Sequence, residues 1–295
     1  MTAPRLLRSV LYTPGHRGDL IAKAPRYGAD ALCLVLEDSV PDELKPQARE
    51  TVAASLTVPG AVVFVKVNPP GPGGLEDDLA SIVRPGLAGI ILPKVLAPAD
   101  VHHADALLSA AEAEHGVEPG SVAILVLIET PLAGVRAFEI ASASPRIVSL
   151  IPGAAANGDM ARELGFQWTP EGIERLFLRS KVLMDQRAAE VPNPLDGIYG
   201  EVADLEGLEV EARHARQLGY RGKLVVHPSH VAIVNRVFTP SEAEVREHRR
   251  VLEAFDAALA EGSAAAVVDG RFIDYAMAAT ARQVLELAER AGVGA

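Results

Sequence analysis

The chain has 295 residues, 49% of them apolar, and a formal net charge of −11. That length suits one large α/β domain with an addition, and the acidic balance argues against a nucleic-acid partner, whose phosphates call for a basic surface. Cys33 is the only cysteine, so no internal disulfide can form, and its plain reading is a small buried hydrophobe.

Short apolar runs alternate with helical patterns along the chain. The strands expected are 9–12, 31–36, 61–67, 89–92, 123–128, 147–151, 196–199 and 223–226. The helices expected between them are 19–27, 46–56, 77–83, 98–115, 131–141, 170–190 and 205–218. Eight strands, each followed by a helix, are the pattern of an α/β protein with a closed parallel (β/α)8 TIM barrel. A doubly wound sheet fits less well, because YTPGHRGD after the first strand is not a glycine-rich dinucleotide fingerprint. The barrel is expected over 1–238 and a C-terminal helical extension over 239–295. Thr239-Pro240-Ser241-Glu242 opens a long helix, and DGRFID precedes the last one. The extension needs an apolar surface to cover, on its own barrel or on a neighbouring subunit. No apolar run approaches the roughly 18 residues of a membrane span, and MTAPRLLRSV lacks a signal-peptide core. A cytoplasmic protein with no membrane partner is expected.

Polar residues collect just after the strands: His16 and Arg17, Glu37 and Asp38, Lys66 and Asn68, Lys94, Glu129, Asp159, Tyr199 and His227. The helix-to-strand joins at 28–29, 59–60 and 219–220 carry far less. Barrel enzymes keep their chemistry at the rim where the strands end. Glu129 closes the apolar run AILVLI, and Thr130-Pro131 after it reads as a helix start. A carboxylate there is costly to bury unless something positive meets it. A divalent ion shared with Asp159, from the next strand, is one answer; two helix caps are the other. Two hard oxygen ligands with open positions suit Mg²⁺ better than zinc.

Of Glu37 and Asp38, adjacent on a strand, only one can look into the mouth. Either it orients a cation or water there, or both cap the next turn. Lys66 and Asn68 alternate and can both face the mouth. Lys66 can bind a carboxylate or thioester carbonyl, form a Schiff base, or simply pair with Glu37 or Asp38. Lys94, in ILPK, is a second candidate cation with the same structural alternative. His227 either contacts substrate or fixes its loop. PPGPGG at 69–74 lacks the lysine of a P-loop and reads as a loop over the mouth.

The motifs RSVLYTPGHR, GADALCLVLEDSV with Lys45 and Arg49, VKVNPPG, GIILPKV, LIET, DMARELG, the run DLEGLEVEARHARQLGYRGKLVVHP, FTPS and DGRFID resemble citrate lyase β-like proteins of the HpcH/HpaI aldolase superfamily. The resemblance covers nearly the whole chain. It implies a TIM barrel holding Mg²⁺ through Glu129 and Asp159, with Glu129 also meeting the substrate. It implies a lyase making or breaking a carbon–carbon bond in a 3-hydroxyacyl-CoA thioester of the citryl-, malyl- or citramalyl-CoA kind. The partners implied are a 2-oxoacid such as oxaloacetate, or glyoxylate, and an acyl-CoA. It further implies a homotrimer in which Asp274 acts as acid/base from a neighbouring subunit. Lys66 would add positive charge, and Arg17 and Lys94 would meet a substrate carboxylate or CoA phosphate. Two positions depart from the family pattern: Lys66 replaces the usual arginine of VRVN, and Gly158 stands where an acidic residue is common. They keep two alternatives open, a CoA-independent pyruvate-type aldolase and a non-catalytic or complex-subunit paralogue.

Overall fold

Successive side chains of a strand point to opposite faces, and in this chain that alternation builds two separate cores. The computed structural model describes residues 6–58, 61–71 and 74–294. Its barrel strands are β1 (Ser9–Pro14), β2 (Ala31–Val35), β3 (Val62–Lys66), β4 (Leu87–Leu92), β5 (Ala123–Ile128), β6 (Ile147–Pro152), β7 (Leu195–Asp196) and β8 (Gly222–Val225). They pair in parallel in the order β6-β5-β4-β3-β2-β1-β8-β7. One set of side chains, including Val10, Cys33, Phe64, Leu125, Ile151 and Leu224, fills the inside. The other set, including Leu34, Val65, Ile90, Val126 and Leu150, packs on the helices outside. This is the TIM barrel expected from the alternation of elements, with strand ends shifted by one to three residues.

The helices are α1 (Gly18–Ile21), α2 (Lys45–Ala54), α3 (Leu75–Ile82), α4 (Pro98–His115), α5 (Pro131–Val135), α6 (Ala137–Ala141), α7 (Asp159–Leu164), α8 (Ile173–Ala188), α9 (Leu205–Leu218) and α10 (Pro228–Phe238). Three depart from the sequence expectation for local reasons. The helix expected over 19–27 stops after Ile21 and resumes as a 3-10 turn, Ala24–Tyr27, where Pro25 has no N–H to donate. The helix over 131–141 breaks at Arg136, whose ψ of 14° leaves the helical range. The helix over 170–190 starts only at Ile173, because Gly172 at φ +70° turns the chain first. Helix α10 was not expected; Pro228 at its first position is its signal. The join 59–60 and residues 72 and 73 of the expected loop lie outside the described residues.

The barrel is thinnest between β6 and β7. There the Asn193 N–H donates to the Val148 carbonyl at 3.0 Å and the Leu195 N–H to Ser149 Oγ at 3.2 Å. A Cβ on Gly197 would come 2.4 Å from the Pro152 carbonyl oxygen, so only glycine lets the strands approach this closely. Buried charges stand behind this seam. Asp196 meets Arg179 at 2.9 Å and Lys223 at 2.6 Å; Glu211 meets Lys223 at 3.2 Å and Arg175 at 2.5 Å. Burial pushes the Asp196 carboxyl up, but Arg179 and Lys223 outweigh it and hold it below its ordinary range.

Two compact units divide the chain, Met1–Arg236 and Val237–Ala295. The second holds α11 (Glu242–Ala260), the antiparallel strands β9 (Ala266–Val268) and β10 (Arg271–Ile273), and α12 (Tyr275–Arg290). Asp269 and Gly270, both at positive φ, make the hairpin turn. Phe255, Ile273 and Ala278 form a small core of its own.

Asp196→Asn leaves Arg179 and Lys223 buried without their shared carboxylate, and is expected to lower stability at neutral pH by about 3 kcal/mol. The stabilisation from a depressed carboxyl is present above its unfolded-state value and is lost as pH falls through the native one. Urea unfolding at pH 7 checks this; a variant as stable as the parent would show that the seam does not need these charges.

Candidate active site

Carrying the inward alternation one step past the sheet places the polar rim. Val10 leads to Tyr12, Val35 to Glu37, Phe64 to Lys66 and Leu127 to Glu129, each two residues on. Tyr12, Asp38, Lys66, Lys94, Glu129 and Asp159 line one cavity of about 470 Å³ over the barrel mouth, and Arg162 joins them. Glu37 is buried, with its carboxylate 2.5 Å from the Lys66 ammonium and 3.1 Å from that of Lys94. The alternation expected of the adjacent acids does not hold, because β2 ends at Val35: Glu37 is buried against Lys66 and Lys94, while Asp38 is exposed and lines the cavity, with Lys94 at 3.4 Å.

Burial tends to lower the Lys66 pKa, but the Glu37, Glu129 and Asp38 charges outweigh it and hold it above its ordinary value. The ammonium therefore stays charged, which suits it to electrostatic work and not to a Schiff base, whose amine must be neutral. Burial also pushes Glu37 up, yet Lys66 and Lys94 pull it below its usual range.

Glu129 is the least compensated group. Its Oε1 accepts the Lys94 N–H at 2.7 Å. To make that bond Lys94 takes a left-handed backbone at φ +53°, a strained conformation for a residue with a Cβ. Burial, which outweighs the pull of Lys66 and the Lys94 N–H, pushes the Glu129 carboxyl up to about 6, and the Glu37 and Asp159 charges add to the rise. Gly153 lets the chain pass behind it, since a Cβ there would lie 2.6 Å from the Glu129 Cβ. Asp159 opens α7, with Arg162 one turn on at 2.5 Å.

These residues fit a hard divalent cation. Among the described residues no group of three or more His, Cys, Asp or Glu is arranged to hold a metal alone. Glu129 and Asp159 both line the cavity and offer carboxylate oxygens, and a Mg²⁺ site commonly takes its remaining positions from water and substrate. A cation there would offset the burial that pushes the Glu129 carboxyl up and the Glu37 and Asp159 charges that add to the rise.

Other expected residues stand elsewhere. Asn68 is buried, with its amide donating to Asp78 at 2.8 Å and to the Leu36 carbonyl at 3.2 Å and its Oδ1 accepting from Lys45, so it lines a neighbouring cleft instead of this cavity. Arg17 is exposed and paired with Asp19 at 2.8 Å. Tyr199 donates to Asp204, and His227 holds Ser229 in its own loop. Asp274, in the second unit, caps α12 by accepting the Ala276 and Met277 N–H groups.

Sequence reasoning missed Tyr12 and Arg162. An aromatic inside an apolar run reads as core, and Tyr12 does carry its ring in the barrel interior. Only its period-two position on β1, under Glu129 and Glu37, marks it. Burial first, then Cys33 and those carboxylates, hold its phenol well above the ordinary value, so the hydroxyl remains a donor.

A family model described as HpcH/HpaI aldolase/citrate lyase matches residues 8–228. The citrate lyase subunit beta of Escherichia coli K12 is 35% identical over 98% of this chain and 95% of its own. The L-malyl-CoA/beta-methylmalyl-CoA lyase of Rhodobacter capsulatus is 34% identical over 98% of this chain and 96% of its own. A crystal structure of protein CitE from Mycobacterium tuberculosis in complex with magnesium, acetoacetate and coenzyme A superposes with a TM-score of 0.76 at 28% identity, covering 96% of this chain and 98% of the other.

In metal-free protein the Glu129 carboxyl is expected to titrate near pH 6, and Lys66→Met to move that midpoint higher by removing the nearest counter-charge. Carbon-13 NMR of labelled glutamate checks both; a midpoint in the ordinary range near 4.3 would contradict the burial and charge argument.

Proposed function

The chain belongs to the HpcH/HpaI aldolase/citrate lyase family, and from that premise we propose that it is a Mg²⁺-dependent carbon–carbon lyase acting on a 3-hydroxyacyl-CoA thioester of the citryl-, malyl- or citramalyl-CoA kind. The products would be a 2-oxoacid or glyoxylate and an acyl-CoA. One observation carries the reading. Four carboxylates, Glu37, Asp38, Glu129 and Asp159, face three cations, Lys66, Lys94 and Arg162, at one barrel mouth. The site is one negative charge out of balance. A divalent ion would turn it net positive, the sign that draws an anionic oxoacid.

In the cleavage direction the 3-hydroxyl loses its proton, the bond between the α- and β-carbons breaks, a carbonyl forms on the oxoacid, and the thioester α-carbon takes a proton. Glu129 and Asp159 would hold the ion, which supplies positive charge where the hydroxyl oxygen becomes a carbonyl. Lys66 adds a fixed charge in the same cavity, pre-oriented by Glu37, so little reorganisation is needed as charge develops. As a point charge it cannot make the planar two-pronged contact of the arginine usual in the family. The Tyr12 hydroxyl offers a neutral donor to an oxygen of the substrate. The Lys94 N–H fixes one oxygen of Glu129 and leaves the other for the site. Asp274 would carry the proton to the α-carbon, coming from the second unit of a neighbouring subunit in a homotrimer. The charged state of Lys66 weighs against the Schiff-base version of a CoA-independent aldolase.

Purified alone, the chain is expected to cleave CoA thioesters in preference to free hydroxy-oxoacids, and to lose activity in EDTA. Glu129→Gln is expected to reduce kcat/KM by about 10²–10³-fold. Full activity in either case, or none with any thioester, would end the proposal. Asp274→Asn and Glu129→Gln, each impaired alone, are expected to recover part of the parent turnover when unfolded together and co-refolded. No recovery would place Asp274 outside the neighbour's site.

A further inference from the structure

Three cations reach the barrel mouth, and they are not equally engaged. The Lys66 ammonium stands 2.5 Å from Glu37, with only 10% of its side chain exposed. Lys94 lies 3.1 Å from Glu37 and 3.4 Å from Asp38. Arg162 has one acidic partner among the described residues, Asp159 at 2.5 Å, and 68% of its side chain is exposed. It is also the one guanidinium among the described residues that line this cavity.

Arg162 stands there because α7 starts at the mouth. Asp159 is the first residue of that helix, and Arg162 follows three positions on, on the same face. The Arg162 N–H is fixed by the Gly158 carbonyl at 3.0 Å, while its long side chain stays largely in solvent. The cavity wall carries Gly153, Ala154, Ala155 and Gly158, small residues that leave a long side chain room to swing.

An exposed ion pair between residues three apart on a helix is a weak tie. A divalent ion would draw on the Asp159 carboxylate with twice the charge, so Arg162 and the ion compete for it. A guanidinium turned off Asp159 is free to take an incoming anion. Its planar fork can hold both oxygens of a carboxylate with two parallel bonds, which the ammonium of Lys66 or Lys94 cannot do.

We propose that Arg162 grips the carboxylate of the 2-oxoacid, paired with Asp159 until a divalent ion takes that carboxylate and then handed to the substrate. The inference rests on the metal site proposed above. It adds to that site a binding residue and an order, cation first and oxoacid second.

Two titrations of the full chain test it, on the parent, Arg162→Gln and Arg162→Lys: Mn²⁺ by electron paramagnetic resonance, then pyruvate into the Mn²⁺-saturated protein by calorimetry. In Arg162→Gln the ion loses its competitor, and Mn²⁺ is expected to bind about two- to fivefold tighter. Pyruvate is expected to bind about tenfold weaker or worse, from the loss of one paired charged contact. Methyl pyruvate, which has no carboxylate, is expected to bind both proteins alike. Arg162→Lys keeps the charge without the fork, so its Mn²⁺ affinity is expected near the parent's and its pyruvate affinity between the other two. Opposite shifts for ion and anion are the signature, because a residue that only held α7 in place would weaken both. Unchanged pyruvate affinity in Arg162→Gln, with Mn²⁺ still bound, removes Arg162 and leaves the metal site standing. Joint weakening of Mn²⁺ and pyruvate overturns the proposal, as does pyruvate binding equally well without Mn²⁺. Lost affinity for free coenzyme A in place of pyruvate overturns it by assigning Arg162 to a phosphate. A parent that binds no Mn²⁺ overturns the metal site and this inference with it.

Discussion

A carboxylate at the end of a buried strand governs this molecule. Glu129 follows six apolar residues and cannot retreat into water without unravelling the end of β5. What stabilises it is local and incomplete: one backbone N–H from Lys94 and the charge of Lys66, which is already committed to Glu37. The remaining deficit shows in its raised pKa. A protein that needed only a helix start here could use Thr130, whose side chain already caps α5. The acid is therefore better explained by what it can bind than by what it holds together.

The other features of the mouth follow from that constraint. Lys94 accepts a strained backbone so that its N–H and its ammonium serve Glu129 and Glu37 together. Gly153 gives up a side chain so that β6 can pass Glu129. Glu37 keeps Lys66 charged inside the barrel. Lys66 thus brings a fixed point charge to the mouth, without the planar two-pronged contact that an arginine could make.

Much of this was legible from residues alone. Short apolar runs that end in charge, as at Glu37-Asp38, Lys94 and Glu129, announced both a strand and a rim position, while Asp159 stands beyond a loop of small residues after β6 and shows only as the next acid along the rim. The same logic failed for Asn68, because alternation says which face a side chain takes and not that Asp78 and Lys45 will claim it. It missed Tyr12 because an aromatic in an apolar run carries no mark of the hydroxyl at its far end. The charges behind the β6–β7 seam were hidden too: Asp196 and Lys223 come from separate strands and meet Arg179 and Glu211 only through packing.

The central claim is that Glu129 and Asp159 share one hard cation. Anomalous diffraction from crystals soaked with Mn²⁺, as a heavier stand-in for Mg²⁺, tests it most directly. The account expects one peak at the barrel mouth within bonding distance of both carboxylates, lost in Glu129→Gln. No peak there, with Glu129 held only by the Lys94 N–H and Asp159 only by Arg162, would contradict it.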